Sequence, residues 1–264
     1  MRISRSAAIV LGVISSAVLA AIYLPLIVVV LNSFNTSQNM DWPPPGFTLD
    51  WWVKAFGSAG LMAALGTSVI IALCSSLIAL VLGTLLAIAL SRYRFFGQQS
   101  IGLMVILPIA LPGIVTGLAL NNAFRTVLGM QLSMATVIIA HATFCIVTVY
   151  NNVLARLSRA NRNLEDASAD LGAGVFTTFR LITLPQIGSA LVAGGLLAFA
   201  LSFDEIIVTT FTAGAGVETL PIWILNNMFR PGKAPVVNVV AVTTVLISLV
   251  PLYFAQRFTR EAAK

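Results

Sequence analysis

Six apolar stretches, each at least 20 residues long, decide what this chain can fold into. They cover residues 7–31, 63–90, 101–120, 132–154, 187–211 and 236–255. A helix needs about 20 apolar residues to cross a hydrocarbon core of roughly 30 Å, and in lipid a helix satisfies its own backbone. The sequence therefore predicts an all-α polytopic membrane protein with six transmembrane helices in a single domain, residues 1–264. Only 9% of the residues are charged, against about 25% in soluble domains. The first stretch follows Arg2 and Arg5, but its 25-residue run exceeds the roughly 7–15 residues of a signal-peptide core, and it reads as a retained span.

Six spans place both termini on one side. That side carries eleven basic residues: Arg2, Arg5, Arg92, Arg94, Arg156, Arg159, Arg162, Arg180, Arg257, Arg260 and Lys264. The other side carries four, Lys54, Arg125, Arg230 and Lys233. Cytoplasmic loops collect Lys and Arg, so both termini are expected in the cytoplasm. The net charge of +6 follows from this topology and calls for no nucleic-acid partner.

The sequence shows no metal-ligand cluster, no nucleophile constellation and no GxxxxGK[ST] loop for ATP phosphates, so the chain does not read as an enzyme. Cys74 and Cys145 fall inside spans and read as small core residues. The single histidine, His141, reads as packed or hydrogen-bonded in the fourth span, with a proton relay or ligand as the other reading. In the third span, "LPIALPGIVTG" predicts a kink at Pro108 and Pro112 and close packing at Gly113 and Gly117. The segment 32–62 lies outside and holds Pro43–Pro45 as a stiff piece. Its Trp42, Trp51 and Trp52 read as interfacial anchors or as contacts for an external partner.

The most unusual segment is the cytoplasmic loop at 155–186, far longer than a connection requires. Asn161 or Asn163 can cap a helix with Glu165 and Asp166 in its first turn. Gly172 permits a left-handed turn. A second helix is predicted over residues 175–182, with Leu184-Pro185 ending it before the fifth span. Val175, Phe176 and Phe179 form an apolar knob at helical spacing on a charged loop. Physics alone lets that knob rest on the chain's own spans or fill a groove in a partner.

The same loop resembles the EAA motif of permease subunits of type I ABC importers. That pattern is E-A-A-x-x-x-G, nine further residues, then I-x-L-P. Gly172, Ile182, Leu184 and Pro185 match it, and the triplet falls on Asp166-Ala167-Ser168 with two mild departures. "LSFDEIIVTTFTAG" in the fifth span, with Ser202, Phe203, Asp204 and Glu205, resembles the spermidine/putrescine branch of these permeases. The resemblance implies a MetI-like permease fold in a bacterial inner (cytoplasmic) membrane. It implies partners: two copies of a cytoplasmic ABC ATPase, which binds the ATP, a second similar permease subunit, and an extracytoplasmic solute-binding protein, with lipid around. Glu165, Asp166, Ala167, Gly172, Val175, Phe176, Phe179, Leu184 and Pro185 would then couple to the ATPase.

Asp204 and Glu205 are the only acids within a span. On one regular helix, Glu205 shares a small, polar stripe with Ser202 and Thr209, while Asp204 points about 100° away. These four residues are the candidate solute pathway, and Glu205 is its favoured acid. Either acid could instead bond within the bundle. Two carboxylates suit a cationic amine such as putrescine or spermidine. An ion-coupled secondary transporter of small amines or amino acids is the alternative, and it leaves the long loop unexplained.

Overall fold

The computed structural model describes the backbone of residues 4–261 and, Ser6 excepted, side chains as far as residue 247. Arg2 and Lys264 lie outside the described residues, as do the side chains of Arg257 and Arg260. Among the described residues the regular structure is helical, with one isolated bridge between Asn35 and Phe47. The elements are α1 (Arg5–Asn32), α2 (Asp50–Phe56), α3 (Ala59–Arg92), α4 (Gln98–Ala110), α5 (Gly113–Asn122), α6 (Met134–Leu157) and α7 (Asn163–Asp170). They continue with α8 (Val175–Thr178), α9 (Leu184–Phe203), α10 (Ile207–Thr212), α11 (Leu220–Asn227) and α12 (Ala234–Glu261).

Four helical stretches are long and apolar enough to cross a membrane alone: Ala7–Asn32, Ala59–Arg92, Met134–Leu157 and Val175–Phe203. The pair Gln98–Ala110 and Gly113–Val127 adds a fifth, bent by 107°. The sequence predicted only a kink there. Pro112 is the cause: the residue before a proline is driven out of helical geometry, and Leu111 is extended at φ −83°, ψ 145°. The sixth expected span lies within α12, helical over 28 residues.

The chain divides into two compact units, Met1–Leu61 with Ile224–Ile247, and Met62–Trp223 with Ser248–Lys264. In the first unit the outer side chains of α1, such as Ile9, Val13, Ile14 and Leu24, are exposed, as suits a helix facing lipid or another chain. The segment that follows folds around the buried Asn35. Its side chain accepts from the Ser37 N–H (2.9 Å) and donates to the Asp41 carbonyl (3.0 Å), and its own carbonyl accepts from the Trp51 indole (2.8 Å). Trp51 is thus buried and Trp52 stacks on Phe34 at 5.3 Å; of the three tryptophans expected at the membrane surface, only Trp42 is exposed.

The second unit is organised by an antiparallel seam between α6 and α9, in four-residue steps. His141 meets Ser202, Cys145 donates to the Ala198 carbonyl (3.3 Å), and Gly194 sits against Val149, where an added Cβ would come to 3.3 Å from its Cα. Small residues at each step let the two backbones approach, the usual basis of helix association in lipid. Beside this seam, Ser75 of α3 donates to the Ile138 carbonyl (2.9 Å), and Gly83 is packed against the Ile146 carbonyl.

Candidate functional site

The fifth span is not one regular helix. α9 ends at Phe203, Asp204 caps it, and α10 restarts at Ile207. The break falls on the two acids, so the helical stripe expected for Glu205 does not exist. Glu205 Oε1 instead accepts from the Val208 N–H (2.9 Å), capping the first turn of α10. An anion there also opposes the positive end of that helix. Glu205 is half-buried and Asp204 is exposed. The structure thus reverses the preference between the acids: Asp204 has a free carboxylate among the described residues, and Glu205 is spent on the backbone.

Ser202 and Thr209, expected along an open pathway, are buried instead. Both reach His141 of α6, which is fully buried: Nδ1 lies 2.8 Å from Ser202 Oγ and Nε2 lies 2.9 Å from Thr209 Oγ1. The Thr209 hydroxyl donates its one proton to the Glu205 carbonyl (2.7 Å), so it accepts from Nε2–H. In the neutral ring Nδ1 then accepts from the Ser202 hydroxyl. This is the hydrogen-bonded reading of His141, made across the break.

α10 is also held from its other side. Gly113 and Gly117 of α5 face Ile207 and Phe211, so the two short helices run parallel, and a Cβ on Gly117 would come to 2.8 Å from the Phe211 ring. The Asn121 amide donates to the Phe211 carbonyl, and the Thr136 hydroxyl lies 2.8 Å from the Thr212 carbonyl. The broken third span therefore packs on the broken part of the fifth.

At the other end of α9 lies the long loop. α7 starts without a side-chain cap; Asn161 Oδ1 accepts only from the Asn163 N–H (3.0 Å). Its C-terminus closes as expected at Gly172, with φ +81°. The Gly172 N–H bonds to the Ala169 carbonyl (2.9 Å) and the Ala173 N–H to the Ser168 carbonyl (3.0 Å), the paired arrangement of a Schellman motif. The Ser168 and Thr178 hydroxyls, 3.0 Å apart, tie α7 to α8.

α8 does not stop at Leu184-Pro185. It passes through a π turn, Phe179–Thr183, straight into α9. Proline has no N–H and its ring crowds the carbonyl four residues back. The π turn widens the ladder just upstream, with the Leu184 N–H bonding to the Phe179 carbonyl, and so absorbs Pro185 without ending the helix.

The loop exposes large apolar side chains. Val175 is 82% and Phe176 73% exposed, while Phe179 is half-buried. Leu171 and Leu181 are also exposed and were not singled out in the sequence, although both are large apolar residues within the charged segment. Asp166, Ala167 and Pro185 are exposed and Leu184 is half-buried. Glu165 is different. Its Oε1 sits 2.7 Å from Arg92 at the end of α3 and accepts from Thr183 (2.8 Å). It fastens the loop to the spans, a partnership no local pattern announces.

Comparison with known proteins places this geometry. Residues 79–264 match the family described as "Binding-protein-dependent transport system inner membrane component". The chain is 35% identical to the spermidine/putrescine transport system permease protein PotC of Haemophilus influenzae, over 92% of this chain and 94% of that one. It is 35% identical to PotC of Escherichia coli K12, over 96% and 95%, and 35% identical to the putrescine transport system permease protein PotI of that strain, over 83% and 80%. Among solved structures it resembles a chain of a bacterial ABC transporter that imports alginate, with TM-score 0.77 and 15% identity over 97% of this chain and 99% of that one. A chain of the MetNI methionine ABC transporter gives TM-score 0.60 at 17% identity over 76% and 94%. At those identities the structures speak for the fold alone.

Proposed function

Since the chain belongs to the binding-protein-dependent transport system inner membrane component family, we propose that it carries a polyamine of the putrescine or spermidine kind. It is a permease subunit of an ABC importer, a multi-pass inner-membrane protein with the MetI-like fold and not itself an enzyme. In this reading it forms half of a translocation pathway. A second, similar permease supplies the other half, two ATPase subunits hydrolyse ATP below, and an extracytoplasmic binding protein delivers solute from above. Both termini lie in the cytoplasm with the loop 155–186, whose apolar surface at Leu171, Val175 and Phe176 seats in the ATPase. The apolar surface explains what an ion-coupled secondary transporter leaves unexplained.

The observation that carries the solute assignment is Asp204, an exposed carboxylate at the break of a membrane span, in a chain similar to polyamine permeases. A charge facing lipid at mid-bilayer costs about 2.5–3.5 kcal/mol on insertion scales. Asp204 therefore faces water or another chain, and a passing ammonium group is its natural counter-ion. The test is Asp204→Asn in the assembled transporter, with uptake of radiolabelled spermidine. Assembly with the ATPase is expected to persist while uptake falls at least tenfold; wild-type uptake in an assembled Asp204→Asn transporter overturns the assignment.

A further inference from the structure

We propose that His141 is a positioning residue for the pathway: it clamps Ser202 and Thr209 across the break in the fifth span and so fixes where Asp204 points. The inference rests on the reading of Asp204 as a solute-facing carboxylate.

Seven residues of straight helix would rise about 10 Å. Here two residues seven apart place their hydroxyls at 2.8 and 2.9 Å from opposite nitrogens of one imidazole. Ser202 belongs to the last turn of α9 and Thr209 to the first turn of α10, so the ring spans the unwound residues between them. The Thr209 hydroxyl passes the connection on to the Glu205 carbonyl inside the break, and the Glu205 carboxylate caps Val208. Asp204 is the residue this chain of bonds surrounds without using. The ring itself is held by the tilted Phe144 ring at 5.4 Å and by the α6–α9 seam one turn below, at Cys145 and Ala198. A lone buried histidine needs only one partner per nitrogen to be satisfied; taking both partners from the two sides of one helix break makes it a brace for that break.

The experiment uses the assembled transporter with Cys74→Ala, Cys145→Ser and Asp204→Cys, and measures how fast a small methanethiosulfonate reagent labels the introduced thiol. Adding His141→Leu is expected to change that rate at least threefold while leaving a control at the exposed Gln38, Gln38→Cys, unchanged. In the transporter that keeps Asp204, His141→Leu is expected to lower spermidine uptake at least tenfold and to shift the ratio of spermidine to putrescine uptake. His141→Gln, which keeps one donor and one acceptor, is expected to recover much of both. A merely structural loss would reduce uptake of the two amines equally and move both labelling rates. Unchanged labelling at position 204 and wild-type uptake with His141→Leu overturn the inference. If His141→Leu fails to assemble, Ser202→Ala with Thr209→Val removes both ends of the clamp with little change in volume, and wild-type uptake by that variant overturns it as well. Failure of the solute reading itself shows separately, as wild-type uptake in Asp204→Asn.

Discussion

Arg92 and Glu165 are 73 residues apart in the chain and 2.7 Å apart in space. Their pairing, with Thr183 on the same carboxylate oxygen, ties the long loop 155–186 to the spans. Both side chains are mostly buried, at 13% and 19% exposure, so removing one partner strands the other. A hydrogen bond to a charged group contributes about 1.5–3 kcal/mol. Glu165→Ala is expected to loosen the loop by about that amount, seen as faster proteolysis within 155–186 and lower transport, with insertion unchanged. Exchanging the two residues, Arg92→Glu with Glu165→Arg, is expected to recover part of the loss.

Gly172 gives a graded series. Its φ of +81° is left-handed, and nothing lies within 4 Å of where a Cβ would project, so substitution meets strain and no clash. Asn visits this region most readily of the non-glycine residues, and β-branched residues least. Transport is expected to fall in the order Asn, Ala, Val, with Gly172→Val costing about 1–3 kcal/mol in the local turn. Uptake assays on equal amounts of inserted protein give the order.

Phe176 separates docking from folding. Because it is largely exposed, Phe176→Asp removes little internal packing. Thermal unfolding of the isolated permease is expected to move by less than about 0.5 kcal/mol, the usual range for surface changes. Co-purification with the ATPase is expected to be lost, because an unpaired carboxylate would have to enter a dry groove.

Two glycines predict unequal responses to the same change. A Cβ on Gly117 meets side-chain atoms only, the Phe211 ring at 2.8 Å and its Cβ at 3.2 Å; a Cβ on Gly83 comes to 2.8 Å from the Ile146 carbonyl and 3.1 Å from the Tyr150 N, which are backbone within α6. Gly83→Ala is therefore expected to destabilise by more than Gly117→Ala, within the 1–3 kcal/mol typical of overpacking. Phe211→Leu is expected to rescue only the change at Gly117. Melting temperatures in detergent decide both.

Topology follows from two exposed positions. In a background without Cys74 and Cys145, Gln38→Cys is expected to react with an impermeant thiol reagent on intact cells, and Ala167→Cys only after the membrane is opened. Reaction of both from outside would contradict the cytoplasmic placement of the loop.

The spans were legible because burial in hydrocarbon leaves a run of apolar residues that no other constraint imitates. Gly172 was legible because a glycine between two helical patterns has a specific backbone use. Val175 and Phe176 were legible because they violate the polarity of their surroundings. The break at Asp204 was not. Its signal, two acids in a span, was read as chemistry on an intact helix, when the same polarity also permits the backbone to unwind and be capped by Glu205. The course of the helix past Pro185 was hidden for a related reason. A proline reads as a stop unless the turn before it widens, and that widening depends on the packing of Thr183 and its neighbours. Arg92 and Glu165 could not be paired from one sequence, since nothing local links positions so far apart.

The unbroken run of helix from Val175 to Phe203 has a mechanical consequence. Twenty-nine residues make a strut about 44 Å long, with the exposed Val175 and Phe176 at one end and Asp204 just past the other. A strut of that length carries each degree of tilt into about 0.8 Å at its tip, so a small rocking at the Val175 end would reach the acid as an ångström-scale displacement. The His141 clamp then sits at the joint where that lever meets α10.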